Sequence, residues 1–259
     1  MNFYPGFDIR VDEEKMMFEY GEETFGLEVE RRRMDDIRKS LRNANSNGPE
    51  IPYAIAMDVG KKRDLKDLIN RSLLYGAVIY SKGRFGQEPV RSQGHIHSVS
   101  ASCGSSTPEV YEIWSGEAII YMQESAKDNP GKCFAVYAGV GDLVIVPPFW
   151  AHYTVNANPN QNMSFGAWCI RDYGFDYEEV RSHGGLAYFP ILDVEDKISW
   201  TKNESYKAPN ICLQKAREYP EFGLKSGVPI YTQYEGDREL FTFVTNPQAN
   251  PTLWQDFEP

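Results

Sequence analysis

From Tyr75 to Ile170 the chain is a succession of short β-rich runs with almost nothing but turn residues between them. GAVIYSKG, EVYEIWSGEAIIYMQ, CFAVYAGVGDLVIVP, AHYTVN and MSFGAWCI follow one another, punctuated by Gly, Pro and Asn. Connections this short leave no room for crossover helices, so neighbouring strands must pair antiparallel. Several strands at such spacing predict a mainly β chain, an all-β sandwich or barrel over residues 75–191.

The flanks have a different character. Residues 1–74 form a highly charged arm expected to pack on the core. Within it, Glu28 to Asn43 predicts a surface helix with Met34, Ile37 and Leu41 on one stripe. Arg31, Arg32 and Arg33 fall among Glu30, Asp35 and Asp36 and are assigned to its solvated face. Lys61 to Leu74 predicts a second helix, with Leu65, Leu68, Ile69 and Leu73 packing inward. Residues 192–259 are expected to be an ordered extension without a core of their own. They carry two strand-like runs, PIYTQY and ELFTFVT.

Charge narrows the function. The 27 Lys plus Arg against 37 Asp plus Glu leave a net charge of −10. A nucleic-acid binder needs a basic footprint, and an anionic membrane surface would repel this chain. No apolar run approaches the ~18–20 residues of a membrane span. Asp8, Asp12, Glu13 and Glu14 interrupt the segment where an export signal would be apolar. Cys103, Cys133, Cys169 and Cys212 lie far apart with no CxxC pair and are expected to be free thiols. These features together predict a cytoplasmic protein.

Chemistry concentrates in two segments. His95 and His97 lie in Gly94-His95-Ile96-His97. Residues i and i+2 of a strand share a face about 7 Å apart, so two imidazoles there can grip one ion. Glu109 and Glu112 lie in the apolar run EVYEIWSG, where a carboxylate needs a partner. A glycine turn at Gly141, an apolar strand and a Pro147-Pro148 corner then deliver His152. Three histidines and one carboxylate suit Fe, Mn, Ni, Cu or Zn. The fourth histidine, His183 in RSHGG, is assigned to a surface loop.

The pattern resembles the cupin superfamily. Gly141, Pro147, His152 and Asn156 match its second motif, with Phe149 in place of an internal glycine. His95, His97 and Glu109 followed by Gly116 match the first, with SVSASCGSSTP inserted before the glutamate. The E-x6-G spacing favours Glu109 over Glu112. Within cupins, the chain is most similar to the archaeal-type glucose-6-phosphate isomerases, through SQGHIH, EVY, VPPFWAHYTVN and GFDY. The likeness covers roughly residues 30–190. It implies a jelly-roll antiparallel β-sandwich and a homodimer. It further implies one divalent Fe, Mn, Ni or Zn ion per chain on His95, His97, Glu109 and His152. Glu109 and Tyr111 would be catalytic, and Ser92 and Gly94 would lie beside a sugar phosphate. Cys169 stands where that family often has a tyrosine.

Ideal strand alternation instead turns Arg91 and Gln93 inward with His95; a bulge at Gly94 would reconcile the two. An anionic substrate of an acidic protein also requires a local basic patch, for which Lys82, Arg84 and Arg91 are candidates. The resulting expectation is interconversion of glucose 6-phosphate and fructose 6-phosphate. An oxygen-dependent oxidoreductase and a non-enzymatic sugar-phosphate-binding cupin share the same ligand set.

Overall fold

The computed structural model describes residues 3–259. In chain order the strands of its two principal sheets are β1 (Glu30–Arg32), β2 (Tyr53–Ala56), β3 (Leu73–Tyr80), β4 (Glu109–Ser115) and β5 (Ala118–Gln123). They continue with β6 (Cys133–Ala138), β7 (Leu143–Val146), β8 (Ala151–Asn156), β9 (Met163–Ile170) and β10 (Cys212–Lys215). One sheet runs β7-β4-β9-β3-β2-β1 and is antiparallel throughout. The other runs β8-β5-β6-β10, antiparallel except where β10 joins β6 in parallel. The expected antiparallel β-sandwich is therefore what the chain forms, and every β-rich run between residues 75 and 170 supplies its strands.

Period-two alternation sorts each strand between two environments. Tyr111, Ile113, Val144, Val146, Phe165 and Ala167 of the first sheet meet Ile120, Met122, Phe134 and Val136 of the second in the inner core. The opposite face of the first sheet carries Tyr75, Val110, Trp114 and Trp168. Phe7, Ile9 and Phe18 from the N-terminus and Tyr219, Tyr231, Tyr234 and Phe241 from the C-terminal segment cover it. The outer face of the second sheet packs Tyr121, Tyr153 and Val155 under Leu186, Tyr188 and Tyr206.

Three expectations for the flanks need correction. The span Glu28 to Asn43 is not one helix. Its start, Glu30–Arg32, is an edge strand paired with Tyr53–Ala56, and only Met34–Ile37 is α-helical before a 3-10 turn. Pairing satisfies a row of backbone groups that a solvated helix face would not offer to the sheet edge. The apolar stripe survives the change: Met34, Ile37 and Leu41 are buried. Lys61 to Leu74 is likewise divided, with a helix only over Leu65–Asn70 and Leu73 already in β3. PIYTQY and ELFTFVT are helical over Ile230–Gly236 and Thr242–Thr245. Ile230, Tyr231, Gln233 and Tyr234 are buried at one-and-three spacing, so tertiary packing overrides the β preference of aromatic and β-branched residues. No helix among the described residues is long and apolar enough to cross a membrane.

Glu112 lies on the covered outer face, where its Oε1 accepts the Ile230 N–H at 2.9 Å and its Oε2 has no partner. Burial pushes its carboxyl up to about 8, against the opposing pull of that hydrogen bond. Between the unfolded value near 4.5 and about 8 the folded chain keeps a proton that the unfolded chain has released. Stability from this group is thus complete below the unfolded value and is lost as pH rises towards 8. Chemical denaturation at pH 5 and pH 8 should show Glu112→Gln gaining on the parent by a few kcal/mol over that interval. A difference that does not change with pH would contradict the assignment.

Candidate metal centre

Parity on β4 decides which glutamate enters the sandwich. Glu109, Tyr111 and Ile113 face inward, whereas Glu112 faces the C-terminal segment. Glu109 meets His95, His97 and His152, and one ligand atom from each of the four lies within 4.8 Å of the others. Glu109 Oε2 is 3.3 Å from His97 Nε2 and 3.6 Å from His152 Nε2, and accepts the Tyr111 hydroxyl at 2.7 Å.

The three histidines reach this point through a bulge. Arg91 bridges Val155 and His95 bridges His152, so four steps along one segment oppose three along β8. The extra residue falls at Gln93-Gly94, and Gly94 takes φ +82°, which only glycine adopts without strain. Ordinary alternation would place Ser92 and His95 on opposite faces. With the bulge, both line the cavity, together with Gln93 and His97. A Cβ on Gly94 would point at Leu186 and away from the cavity.

Supporting hydrogen bonds fix the imidazoles. His97 Nδ1 lies 2.8 Å from the Thr107 carbonyl and His152 Nδ1 lies 3.1 Å from the Trp150 carbonyl. A carbonyl can only accept, so each Nδ1 carries the proton and each Nε2 offers its lone pair to the centre. Thr107 closes the inserted segment, which Asp172 holds by accepting from the Ser100 and Ser102 hydroxyls at 2.8 and 2.9 Å. Phe149, at the position of the motif glycine, has φ +68° and donates its N–H to Ser106.

The donor set fits a transition metal. The Nε2 atoms of His95 and His152 are buried without any hydrogen-bond partner, which is costly unless something else occupies their lone pairs. Burial lowers both imidazoles and so keeps them neutral, as a ligand must be. Burial alone would raise the Glu109 carboxyl, but its neighbours His152 and His97 hold it well below the usual carboxylate range. Tyr111 is pushed well above its usual value by burial and by that carboxylate.

The cavity beside the cluster is walled by Tyr53, Tyr80, Ser92, Gln93, Thr154, Cys169, Tyr173, Phe175 and Tyr177. None of the three expected basic contacts lines it. Arg91 is fully buried on the other side, held by Glu88 at 2.6 Å and stacked over Tyr153. Lys82 is exposed in the turn after β3. Arg84 pairs with Asp196. The arginine that does line the cavity is Arg32, from the segment expected to be a solvated helix face. Its edge-strand pairing with Tyr53 is a long-range fact with no local signature. His183 pairs with Asp128 and stacks on Tyr206, apart from the cluster, and all four cysteines are free.

Elemental analysis after metal loading should find one transition-metal ion per chain. His152→Ala should lose it, by more than the roughly 10–100-fold that removal of a supporting hydrogen bond costs. Glu109→Gln should lose affinity and Glu112→Gln should not; the reverse order would invert the register of β4.

Comparison with known proteins agrees with this geometry. The family model described as glucose-6-phosphate isomerase (GPI) matches residues 37–208. The glucose-6-phosphate isomerase of Thermococcus kodakarensis is 29% identical over 135 residues, 52% of this chain and 65% of that protein. The one from Sinorhizobium medicae is 25% identical over 139 residues, 51% of this chain and 60% of that protein. The chain thus spans somewhat under two thirds of these relatives' length. Among solved structures, an oxalate oxidase aligns at TM-score 0.35 and 14% identity, over 48% of this chain and 54% of that one. A mutant oxalate decarboxylase of Bacillus subtilis aligns at TM-score 0.34 and 16% identity, over 51% and 29%. With the family match covering about two thirds of the chain, including eight of the ten sandwich strands and all four cluster residues, the chain belongs to the glucose-6-phosphate isomerase family.

Proposed function

We propose that this chain is a metal-dependent isomerase that interconverts glucose 6-phosphate and fructose 6-phosphate. The observation that carries the proposal is Glu109, a carboxylate 3.3 and 3.6 Å from two imidazole nitrogens and hydrogen-bonded by a phenol at the inner end of the cavity. Aldose–ketose isomerisation moves a hydrogen between C1 and C2 and exchanges carbonyl for hydroxyl. A divalent Fe, Mn, Ni or Zn ion held by His95, His97, Glu109 and His152 would polarise the oxygens on those carbons.

The side chains supply the rest. Glu109 Oε2 accepts the Tyr111 hydroxyl, so its other oxygen is left to take a proton from C2 and return it to C1, while the hydroxyl proton passes from O2 to O1. Burial keeps Tyr111 protonated, so its hydroxyl remains a donor beside that carboxylate. Ser92 Oγ already accepts the Thr154 N–H at 3.0 Å, which leaves its own proton for a substrate oxygen. Gly94 contributes through the bulge that brings Ser92 and His95 to one face. The aromatic walls exclude water, which strengthens each of these contacts.

Metal-loaded protein incubated with either hexose phosphate should approach the same equilibrium mixture from both sides, at equal rates with and without air. Glu109→Gln, refilled with excess metal, should remain slower by roughly 10²–10⁴-fold, the range of general acid–base catalysis. Oxygen uptake with an organic substrate, with both hexose phosphates unchanged, would instead favour an oxidoreductase.

A further inference from the structure

The cavity poses an electrostatic problem. A net charge of −10 opposes entry of a phosphate dianion, so a cation must stand at the site to offset it. Among the described residues, Arg32 is the one lysine or arginine that lines the cavity. It sits on the sheet edge opposite Tyr53, and its charge acts on Tyr53, Tyr173, Tyr177 and His95. Its guanidinium is about a quarter exposed and spends one nitrogen on Glu30 at 2.8 Å, leaving further donors on a planar fork suited to phosphate.

A shallower depression continues from the cavity and shares Arg32, Gln93, Phe175 and Tyr177 with it. Asp35 and Asp36 also border this mouth, but both are occupied: Asp35 accepts from Arg38 at 2.5 Å and Asp36 from the Arg33 N–H at 2.8 Å. Lys39 and Arg181 complete the rim, and Arg181 is the one held against the cavity wall. Its guanidinium stacks 4.7 Å over the Tyr177 ring and donates to Gln93 Oε1 at 3.2 and 2.9 Å. An arginine can only donate, so Gln93 must present its oxygen to Arg181 and its amide hydrogens towards the cavity. Gln93 is 5% exposed, and its amide position is therefore fixed. The Tyr177 ring packs edge-on to that of His95, with centroids 6.0 Å apart, so the mouth and the metal ligands border one continuous space.

We infer that Arg32, with the Gln93 amide oriented by Arg181, forms the anion subsite that holds the substrate phosphate away from the metal ligands. The inference rests on the isomerase reading only for the identity of the sugar; the anion is recognised by the fork and the amide. An arm residue on the edge strand of the sheet would thus set the preference for a phosphorylated over a neutral hexose, with Arg181 acting as a positioning residue through Gln93.

The test uses metal-loaded full-length protein and two ligands without a carbonyl, 1,5-anhydroglucitol 6-phosphate and 1,5-anhydroglucitol, by titration calorimetry. Arg32→Gln should weaken the phosphorylated ligand roughly 10- to 100-fold, the range of one charge-assisted contact, and so collapse the affinity ratio between the two. Arg32→Lys, which keeps the charge without the fork, should fall between, and added salt should narrow the gap between parent and variant. Retention of the parent ratio in Arg32→Gln, or an equal loss for both ligands, overturns the assignment. Hexose-phosphate turnover by the parent protein is scored separately. Turnover with an unchanged ratio keeps the isomerase and removes this subsite, whereas a collapsed ratio without turnover keeps the subsite and removes the isomerase.

Discussion

One isolated backbone pair governs the geometry of the cavity. The N–H of His95 donates to the His152 carbonyl at 3.0 Å, and the N–H of His152 donates back at 2.9 Å. This pair joins the segment before β4 to β8 and so brings histidines 57 positions apart in the chain into one cluster. The bulge just before it is equally necessary. Without the extra residue at Gln93-Gly94, ordinary alternation would turn His95 to the outer face, where Leu186 and Tyr153 lie. His97, two residues on, would turn with it, so a single positive-φ glycine determines whether three imidazoles or one meet Glu109.

Glu109 and Glu112 show how far one pleat separates chemistries. They are three residues apart on the same strand and are identical side chains. Imidazoles and a phenol surround the first, so it is ionised despite burial. The second meets apolar surface and one backbone N–H, so burial dominates and its proton is retained to about 8. The environment that makes a carboxylate useful beside a metal is supplied by the inner face alone.

What the sequence made legible followed from local spacing. Strand runs, the His-x-His pair, Glu109 against Gly116 and the Pro-Pro corner before His152 are each contained within a dozen or so residues, and the cluster is assembled from them. The need for a bulge at Gly94 was also visible, as a conflict between alternation and motif. What could not be read depended on distant pairing. Arg31 to Arg33 look like a solvated helix face until β2 is known to need an edge partner. Arg91 looks like a cavity residue until the register turns it onto Glu88 and Tyr153. Ile230 to Tyr234 look like a strand until Trp168 and Tyr75 offer an aromatic surface that a helix covers better.

That last contact explains why the segments outside the sandwich matter to the cavity within it. A two-sheet sandwich can leave its outer faces wet, and its strands then read as alternating polar and apolar residues. Here β4 and β9 are buried along nearly their whole length, because the N-terminal residues and the C-terminal helices seal the outer face of their sheet. The Trp168 indole, in contact with Tyr75, Tyr231, Tyr234 and Phe241, sits next to Cys169 of the cavity wall. The wall that carries Glu109 and Tyr111 is therefore packed from both sides, and its side chains have few alternative positions to adopt. A site that must hold a carboxylate 3.3 and 3.6 Å from two imidazole nitrogens benefits from that rigidity. The mouth has the opposite construction, since Arg32 lies on the last strand of the sheet and Arg181 on a five-residue helix. Fixed chemistry at the closed end and adjustable cations at the open end is the division of labour this packing imposes.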